Sequence, residues 1–335
     1  MITRRNVVKS LGMTAAVAAI GHTGLALAQQ KPVKINFGYI ADAAVGPLIA
    51  IANKRKLWEK YGLEANLVSF TNGPSQVVAM EAGSLDAGFL GAGAMWLPAV
   101  GRVKVLGINL LDFGNVVLGQ PGGGTTMASL KGKEVGVSEG TSGEMILRQA
   151  LAKEGMTMAD IQKINLDPAT LVPAFIAGRI AAAAIWFPPA GTILQRVPDA
   201  KTLASDRDFP TQAPVSAFVA RLESVKDNRE GLVRLMTVLQ DAMDYRVKNM
   251  DETIRLTSEL TTLSQEIVGA VYRNKMVTAF TTAQLVAETK SGKVIERLES
   301  RDKLSISMGK IKTALPASQY YQSDIFLEAA ARVKN

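Results

Sequence analysis

Three short turns carry the residue types that could hold a ligand. Gly140-Thr141-Ser142-Gly143 sets two hydroxyls and a run of backbone amides at a predicted helix start, while Ala41-Asp42-Ala43-Ala44 and Gly91-Ala92-Gly93-Ala94 each follow a predicted strand. The first amides of a helix have no intrahelical acceptor and sit at the positive end of the peptide dipoles, so such a turn can hold a small oxyanion with no arginine present. Glycine and alanine in the other two turns let a ligand approach the backbone closely. Asp42 has two readings, a helix cap or an acceptor for a ligand amine. Thr141 and Glu144 have the spacing of a capping box, a role compatible with ligand contact by the Thr141 hydroxyl. Gly91-x-Gly93 lacks the last glycine of a dinucleotide fingerprint, and no Gly-Lys-Ser/Thr follows Gly122-Gly123-Gly124, which reads as a flexible connection between lobes.

What the chain lacks narrows its chemistry as much. It has one histidine, His22, and no cysteine. His22 falls in an N-terminal leader: Arg4, Arg5 and Lys9, an apolar run from Leu11 to Ile20, then Ala26-Leu27-Ala28 as a cleavage site. The Arg4-Arg5 pair resembles a twin-arginine export signal, with Val7-Val8 where that pattern usually has Phe-Leu. The apolar run is too short to cross a bilayer, which takes about 20 residues. Cleavage after Ala28 would leave a periplasmic chain of about 307 residues with neither His nor Cys. Histidine-assisted nucleophiles, thiolate or imidazole metal sites and disulfides are then excluded, and no cofactor or metal is expected. Losing Arg4, Arg5 and Lys9 brings the formal charge from +8 down to +5. The remaining charges mix signs, as in Lys248, Asp251, Glu252 and Arg255, which argues against nucleic-acid binding.

The elements that must position these turns alternate strand and helix. Val33 to Tyr39 alternates at period two, a helix runs from Gly46-Pro47 to Trp58, Leu63 to Phe70 is a strand, Asn72-Gly73-Pro74 opens a helix to Ala82, Leu85 to Leu90 is a buried strand, and Ala94 to Val100 is a helix. A second unit starts near Asn115, with strands at Val135–Val137, Ile161–Leu166 and Ile180–Trp186 and helices at Thr141–Glu154 and Pro168–Ala177. This order predicts parallel strands joined by crossovers. Ala82-Gly83-Ser84-Leu85-Asp86-Ala87 in the first unit matches Ala177-Gly178-Arg179-Ile180-Ala181-Ala182 in the second, with glycine closing a helix before a buried strand. After Pro214 comes one strand, Val215–Ala220, and then helices; Leu232, Leu235, Met236, Leu239 and Met243 mark a core-facing stripe. The expected fold class is therefore α/β with two lobes: lobe 1 from residues 29–113 and 214–335, lobe 2 from 114–213, with hinges near Phe113-Gly114 and Thr211–Pro214.

Several segments together resemble the periplasmic solute-binding components of ABC importers for nitrate, sulfonates and taurine. They are Ile35-Asn36-Phe37-Gly38-Tyr39, Leu57-Trp58-Glu59-Lys60-Tyr61-Gly62-Leu63, Met80 through Ala87, Leu130-Lys131-Gly132-Lys133-Glu134-Val135-Gly136-Val137, Gly140-Thr141-Ser142 and Trp186-x-Pro188. The resemblance implies a type II periplasmic binding-protein fold, a hinged cleft and a membrane permease as partner. The expected function is capture of a small organic anion, a sulfonate or carboxylate, by a monomer that delivers it to an ABC permease.

In such sheets a ligand binds beyond the carboxyl ends of the strands. The expected contacts are Asp42, Ala43, Gly91, Ala92, Gly93, Thr141, Ser142, Trp186, Phe187 and Ser216, with Trp96 and Gln212–Ser216 as further candidates. Many sulfonate-binding relatives carry an acid after the corresponding tryptophan, where Phe187 stands here, which points away from taurine. Two rival readings are an enzyme on the same fold, a lyase or dehydratase using Asp42 or Glu144 as base, and a sensory protein that presents its ligand to a membrane receptor.

Overall fold

The computed structural model describes residues 31–209 and 214–334. The leader with His22 and the predicted cut after Ala28, and the segment with Thr211 and Gln212, lie outside these residues.

Eleven strands among the described residues make two sheets. The strands are β1 (Val33–Ile40), β2 (Leu63–Phe70), β3 (Ala87–Leu90), β4 (Lys104–Asp112), β5 (Asn115–Gly119), β6 (Glu134–Val137), β7 (Gln162–Asn165), β8 (Ala182–Trp186), β9 (Lys201–Ser205), β10 (Val215–Ala220) and β11 (Val277–Ala279). The first sheet has the order β11-β4-β10-β3-β1-β2 and the second β7-β6-β8-β5-β9. Apart from the edge strand β11, the two share one plan. In each, one strand (β10 beside β3, β5 beside β8) runs antiparallel to both its neighbours, while β1, β2 and β3 of the first sheet and β6, β7 and β8 of the second are mutually parallel.

That antiparallel strand corrects the expectation of parallel strands throughout, and its cause is the route of the chain. β4 ends at Asp112 and β5 begins at Asn115, so only Phe113-Gly114 separates the two sheets there. A chain that leaves one sheet at the carboxyl end of its strands and enters the next at the facing carboxyl end must run down it in the opposite direction. β10 enters the first sheet after β9 of the second in the same way. Gly122-Gly123-Gly124, expected to join lobes, instead lies between β5 and β6 of a single sheet.

The repeated Ala-Gly segments occupy equivalent places, just before β3 and β8. Gly83 (φ 77°) and Gly178 (φ 68°) are left-handed. Gly83 N–H donates to Met80 O and Ser84 N–H to Ala79 O; Gly178 N–H donates to Phe175 O and Arg179 N–H to Ala174 O. Both are Schellman ends, which satisfy the last carbonyls and turn the chain into the sheet.

Two predicted helices break. The first stops at Lys54, Lys56 takes a left-handed conformation (φ 53°), and a short turn Leu57–Lys60 follows. The kink buries Leu57 and Trp58, and the Trp58 indole donates to Asn53 Oδ1 at 2.7 Å. Ala94–Val100 resolves into a 3-10 turn Ala92–Ala94 and a short helix Trp96–Ala99. The stripe Leu232, Leu235, Met236, Leu239 and Met243 is buried in the core of the first sheet, each side chain contributing on the order of 1.5–3 kcal/mol. The second sheet is covered on both faces: Val117, Val135 and Val137 pack with Ile146 and Leu147 on one, Val116, Leu118 and Ile185 with Leu171 and Phe175 on the other.

Candidate functional site

The carboxyl ends of four strands converge on a narrow cavity. It is lined by Ile40 at the end of β1, Phe89 in β3, Asp112 at the end of β4 and Trp186 at the end of β8, together with Asp42, Gly73-Pro74, Gly91, Thr141 and Ser142. Ile40, Asp42 and Trp186 also line a wider mouth, with Ser69–Thr71, Pro168, Ala169, Val172, Pro173 and Thr261–Leu263. This is where an α/β sheet exposes unpaired amides and loop side chains.

Each turn is held by residues distant in sequence. Gln76, buried in the helix Gly73–Glu81, accepts from Phe89 N–H and donates to Phe89 O, both at 3.0 Å, and so fixes the end of β3 before Gly91. The 41–45 turn is closed by Asp42, whose Oδ1 accepts from Ala44 N–H at 2.8 Å and Val45 N–H at 3.0 Å. Its carbonyls are held from behind: Tyr272 OH donates to Ala43 O at 3.0 Å, and Asn109 Nδ2 and Arg246 Nη1 donate to Ala44 O at 2.8 and 3.2 Å. Asp42 thus closes the turn through one oxygen and does not cap the helix that follows, whose N-cap is Val45; its residue lines the cavity as well.

The turn at 140–144 departs from the predicted capping box. Thr141 does not accept from the helix; its Oγ1 donates to Ser138 O at 2.6 Å. Glu144 does not return to Thr141 but accepts from Gly140 N–H at 2.6 Å, from Lys310 Nζ at 3.0 Å and from Arg148 at 2.7 and 2.9 Å. Gly140 is left-handed (φ 75°), which swings its N–H beneath the carboxylate, and the two cations hold the carboxylate there. No side chain caps the helix Ser142–Lys153, so its first amides lack a side-chain acceptor at a turn whose Thr141 and Ser142 line the cavity.

The two glycine-rich turns meet. A Cβ on Gly93 would overlap the backbone of Thr141 and Ser142, and one on Gly91 would come to 3.6 Å from Ser142 Oγ. Trp96 Nε1 donates to Gly140 O at 3.4 Å, and at the mouth Asn72 Nδ2 donates to Asp167 Oδ1 at 3.0 Å.

Of the ten expected contacts, Asp42, Gly91, Thr141, Ser142 and Trp186 line the narrow cavity. Gly93 lines a second, smaller cavity behind Thr141, while Ala92 and Ala43 are buried and use their carbonyls for Arg301 and Tyr272. Ser216 is fully buried within the sheet, with Oγ donating to Leu110 O at 3.4 Å, and lines neither cavity. Phe187 also turns away: its N–H donates to Gly114 O at 3.0 Å and its ring packs beside Gly191. The acids at the cavity come from elsewhere.

Burial pushes Asp42 up to about 7, helped by the charge of Asp112, and pushes Asp112 up to about 6. Beside them Asp206, which accepts from Asn115 N–H and Nδ2 at 2.8 and 2.7 Å, is raised to about 7 by burial and by Asp112. Burial also pushes Glu144 upward, but the Gly140 amide, Lys310 and Arg148 outweigh it and hold its carboxyl below the usual range. Neither Asp112 nor Asp206 is among the ten expected contacts. The one available signal was an acid ending each of two strand-like stretches, at Leu110-Leu111-Asp112 and Ala204-Ser205-Asp206. No group of three or more His, Cys, Asp or Glu suited to a metal occurs among the described residues.

The chain aligns with a Brucella abortus (strain 2308) protein named as a binding protein, 42% identical over 303 residues, 90% of this chain and 93% of that one. Among solved structures it is similar to the alkanesulfonate-binding protein SsuA from Xanthomonas axonopodis pv. citri bound to MOPS (TM-score 0.71, 21% identity, 87% of this chain and 98% of that one). It is also similar to a Candida albicans gene product described as having the generic periplasmic binding-protein fold (TM-score 0.67, 13% identity, 90% and 95%), and to the desulfurization enzyme DSZB (TM-score 0.64, 13% identity, 90% and 99%). At these identities the structures speak for the fold: two α/β lobes of the periplasmic binding-protein type. The family model described as NMT1/THI5 like matches residues 49–253, a span that reaches strands of both sheets, and the protein belongs to that family.

Proposed function

We propose that the protein is an exported, monomeric solute-binding protein that closes its two lobes on a small organic anion and passes it to an ABC permease. The observation that carries this reading is the uncapped first turn of the helix Ser142–Lys153, with Thr141 and Ser142, facing Trp186 at the carboxyl ends of the strands. Open amides and hydroxyls suit a sulfonate or carboxylate, and the indole suits an apolar body. Asp42 adds to this. A carboxyl raised to about 7 carries its proton for much of the time at neutral pH and can donate a hydrogen bond to the anion.

The lobes are taken as residues 29–113 with 214–335, and 114–213, hinged where the chain crosses between sheets. A shift from open to closed is driven by contacts that the ligand makes to both lobes at once. The kinship with sulfonate-binding proteins and the leader sequence support a periplasmic location and a permease partner. Catalysis by Glu144 is disfavoured despite the fold shared with the desulfurization enzyme, because a carboxylate bound by two cations and an amide is a poor base.

Calorimetry with a panel of alkyl and aryl sulfonates and carboxylates, alongside taurine and nitrate, tests the reading. Tight binding of one of these anions without turnover supports it, with affinity rising as pH falls through about 7, where Asp42 gains its proton. Binding of cationic or neutral solutes in preference to every anion would overturn it.

A further inference from the structure

Behind the turn at 140–144, one side chain reaches from the body of the first sheet to that of the second. Lys310 follows the helix Lys293–Ser307, whose Val294 and Leu298 are buried, with the neighbouring Ile311, in the core of the first sheet. Glu144 lies in the helix Ser142–Lys153, whose Ile146 and Leu147 pack in the core of the second. Lys310 Nζ donates to Glu144 Oε2 at 3.0 Å, and the two side chains are 18% and 2% exposed. In the lobes proposed above, this ion pair joins lobe 1 to lobe 2.

The oxygen that Lys310 bonds is the one that accepts Gly140 N–H at 2.6 Å, whereas Arg148 bonds Oε1. Gly140 is held from its other side as well. Its carbonyl accepts from Trp96 Nε1, and Lys310 Nζ stands 5.1 Å from the centre of the Trp96 ring. Trp96 packs against the first sheet's core. Lys310, Glu144, Gly140 and Trp96 thus close a ring of contacts that begins and ends in lobe 1 and passes through the residue just before Thr141 and Ser142. Arg148 is on Glu144's own helix, one turn along, and stays with it whatever the lobes do. Lys310 keeps its bond only while the two bodies stay as close as they are here. A charged hydrogen bond to a nearly buried carboxylate is stronger than a surface ion pair, and it brings one more positive charge to that side of the turn.

We propose that Lys310 is a positioning residue for the anion turn and acts in the closed form alone, bonding the carboxylate that sets Gly140 so that lobe closure and the final shape of the turn are one event. The proposal rests on the reading of Thr141 and Ser142 as the anion site and of the two bodies as moving lobes. Its consequence is kinetic: the open form meets the anion without Lys310, so the residue slows release and leaves association nearly untouched.

The chain has no cysteine, so Lys133→Cys and Lys290→Cys, both exposed and one in each lobe, give a unique pair of spin labels for distance measurements. Lys310→Met removes the bond while Glu144 keeps Arg148, which leaves no buried charge stranded; if that variant does not fold, Lys310→Gln replaces it. With octanesulfonate as the probe, Lys310→Met should shift the distances toward the open form and speed release roughly tenfold, with association changed less than about twofold. Lys310→Arg should restore most of the slow release, and in a Glu144→Gln background Lys310→Met should have a much smaller effect. Unchanged distances and release in Lys310→Met overturn the proposal, as does a loss of affinity that lies in the association rate. If octanesulfonate and the other panel anions do not bind, the reading of the site fails, and the distances in ligand-free protein decide the role of Lys310. A closed population that Lys310→Met removes upholds it; one that persists in the variant, or is missing from the unaltered protein, overturns it.

Discussion

The two sheets share one plan, yet the turns that follow β1 and β6 dispose of their acids in opposite ways. After β1, the turn at 41–45 is closed by its own carboxylate, with Asp42 taking two backbone amides. After β6, the corresponding turn sends its acid away: Glu144 is drawn back to Gly140, Arg148 and Lys310, and the first amides of the helix Ser142–Lys153 are left without a side-chain cap. One half of the molecule therefore brings a protonatable acid to the cleft and the other brings open donors. Duplicated folds need not duplicate their chemistry: neither helix has a side-chain cap, but one turn folds its carboxylate onto its own amides and the other gives its carboxylate to Gly140 and two cations.

The largest effect should come from keeping the two turns apart. Gly93→Val puts a side chain where the backbone of Thr141 and Ser142 lies, so ligand binding should be lost and small-angle scattering should show a larger radius of gyration than the unaltered protein at saturating ligand. Full affinity in that variant would mean that the closed arrangement is not the binding form.

The acid side of the comparison is open to pH. Asp42 and Asp206 are raised from 3.8 to about 7 and Asp112 to about 6, so the folded chain holds these protons more tightly than the unfolded one. Stability should then be highest below about pH 4 to 5 as far as these groups are concerned, fall as pH rises toward about 7, and level off above it. Asp42→Asn can still accept from Ala44 and Val45 but carries no charge. It should unfold at a higher denaturant concentration than the unaltered protein at pH 8, by up to a few kcal/mol at about 1.4 kcal/mol per pKa unit, and equally at pH 4. An identical pH profile for the two proteins would remove Asp42 from the buried acids.

On the donor side, replacing Thr141 and Ser142 together with alanine should weaken anion binding by about 1 to 3 kcal/mol, measured by calorimetry on folded protein. Thr141→Ala costs little as a lost helix cap, because its hydroxyl bonds Ser138 O rather than the helix amides. The smallest effect belongs to the rim: Asn72→Ala removes the bond to Asp167 and the cap of Ser75 N–H, and should lower stability by about 1 kcal/mol with little change in ligand selectivity.

Much of the order was legible in the residues themselves. Strands β2 and β10 fall at Leu63–Phe70 and Val215–Ala220 as their apolar patterning indicates, and the paired Ala-Gly ends before β3 and β8 mark equivalent places in two units. These are local signals, set by neighbours within a turn or a strand pair. β4 and β5, by contrast, are continuous apolar runs whose direction depends on which sheet the chain has just left, so their antiparallel entry of β5 into the second sheet had no local signature.

What the sequence by itself determined, then, is the alternation of elements, the glycine-closed helix ends, the turns able to approach a ligand, and the absence of cysteine and of histidine beyond His22. The tertiary structure alone decided which turns meet and which charges face the cleft. Glu144, bonded locally to Gly140 and Arg148, is held as well by Lys310, 166 residues away; Ala44 O is held by Arg246; and Asp112, Asp206 and Arg301 come from three separate segments. Caps and periodicities are energies of nearest neighbours along the chain, whereas the burial and pairing of charge depend on everything packed within a few ångströms, and that neighbourhood exists only once the chain has folded.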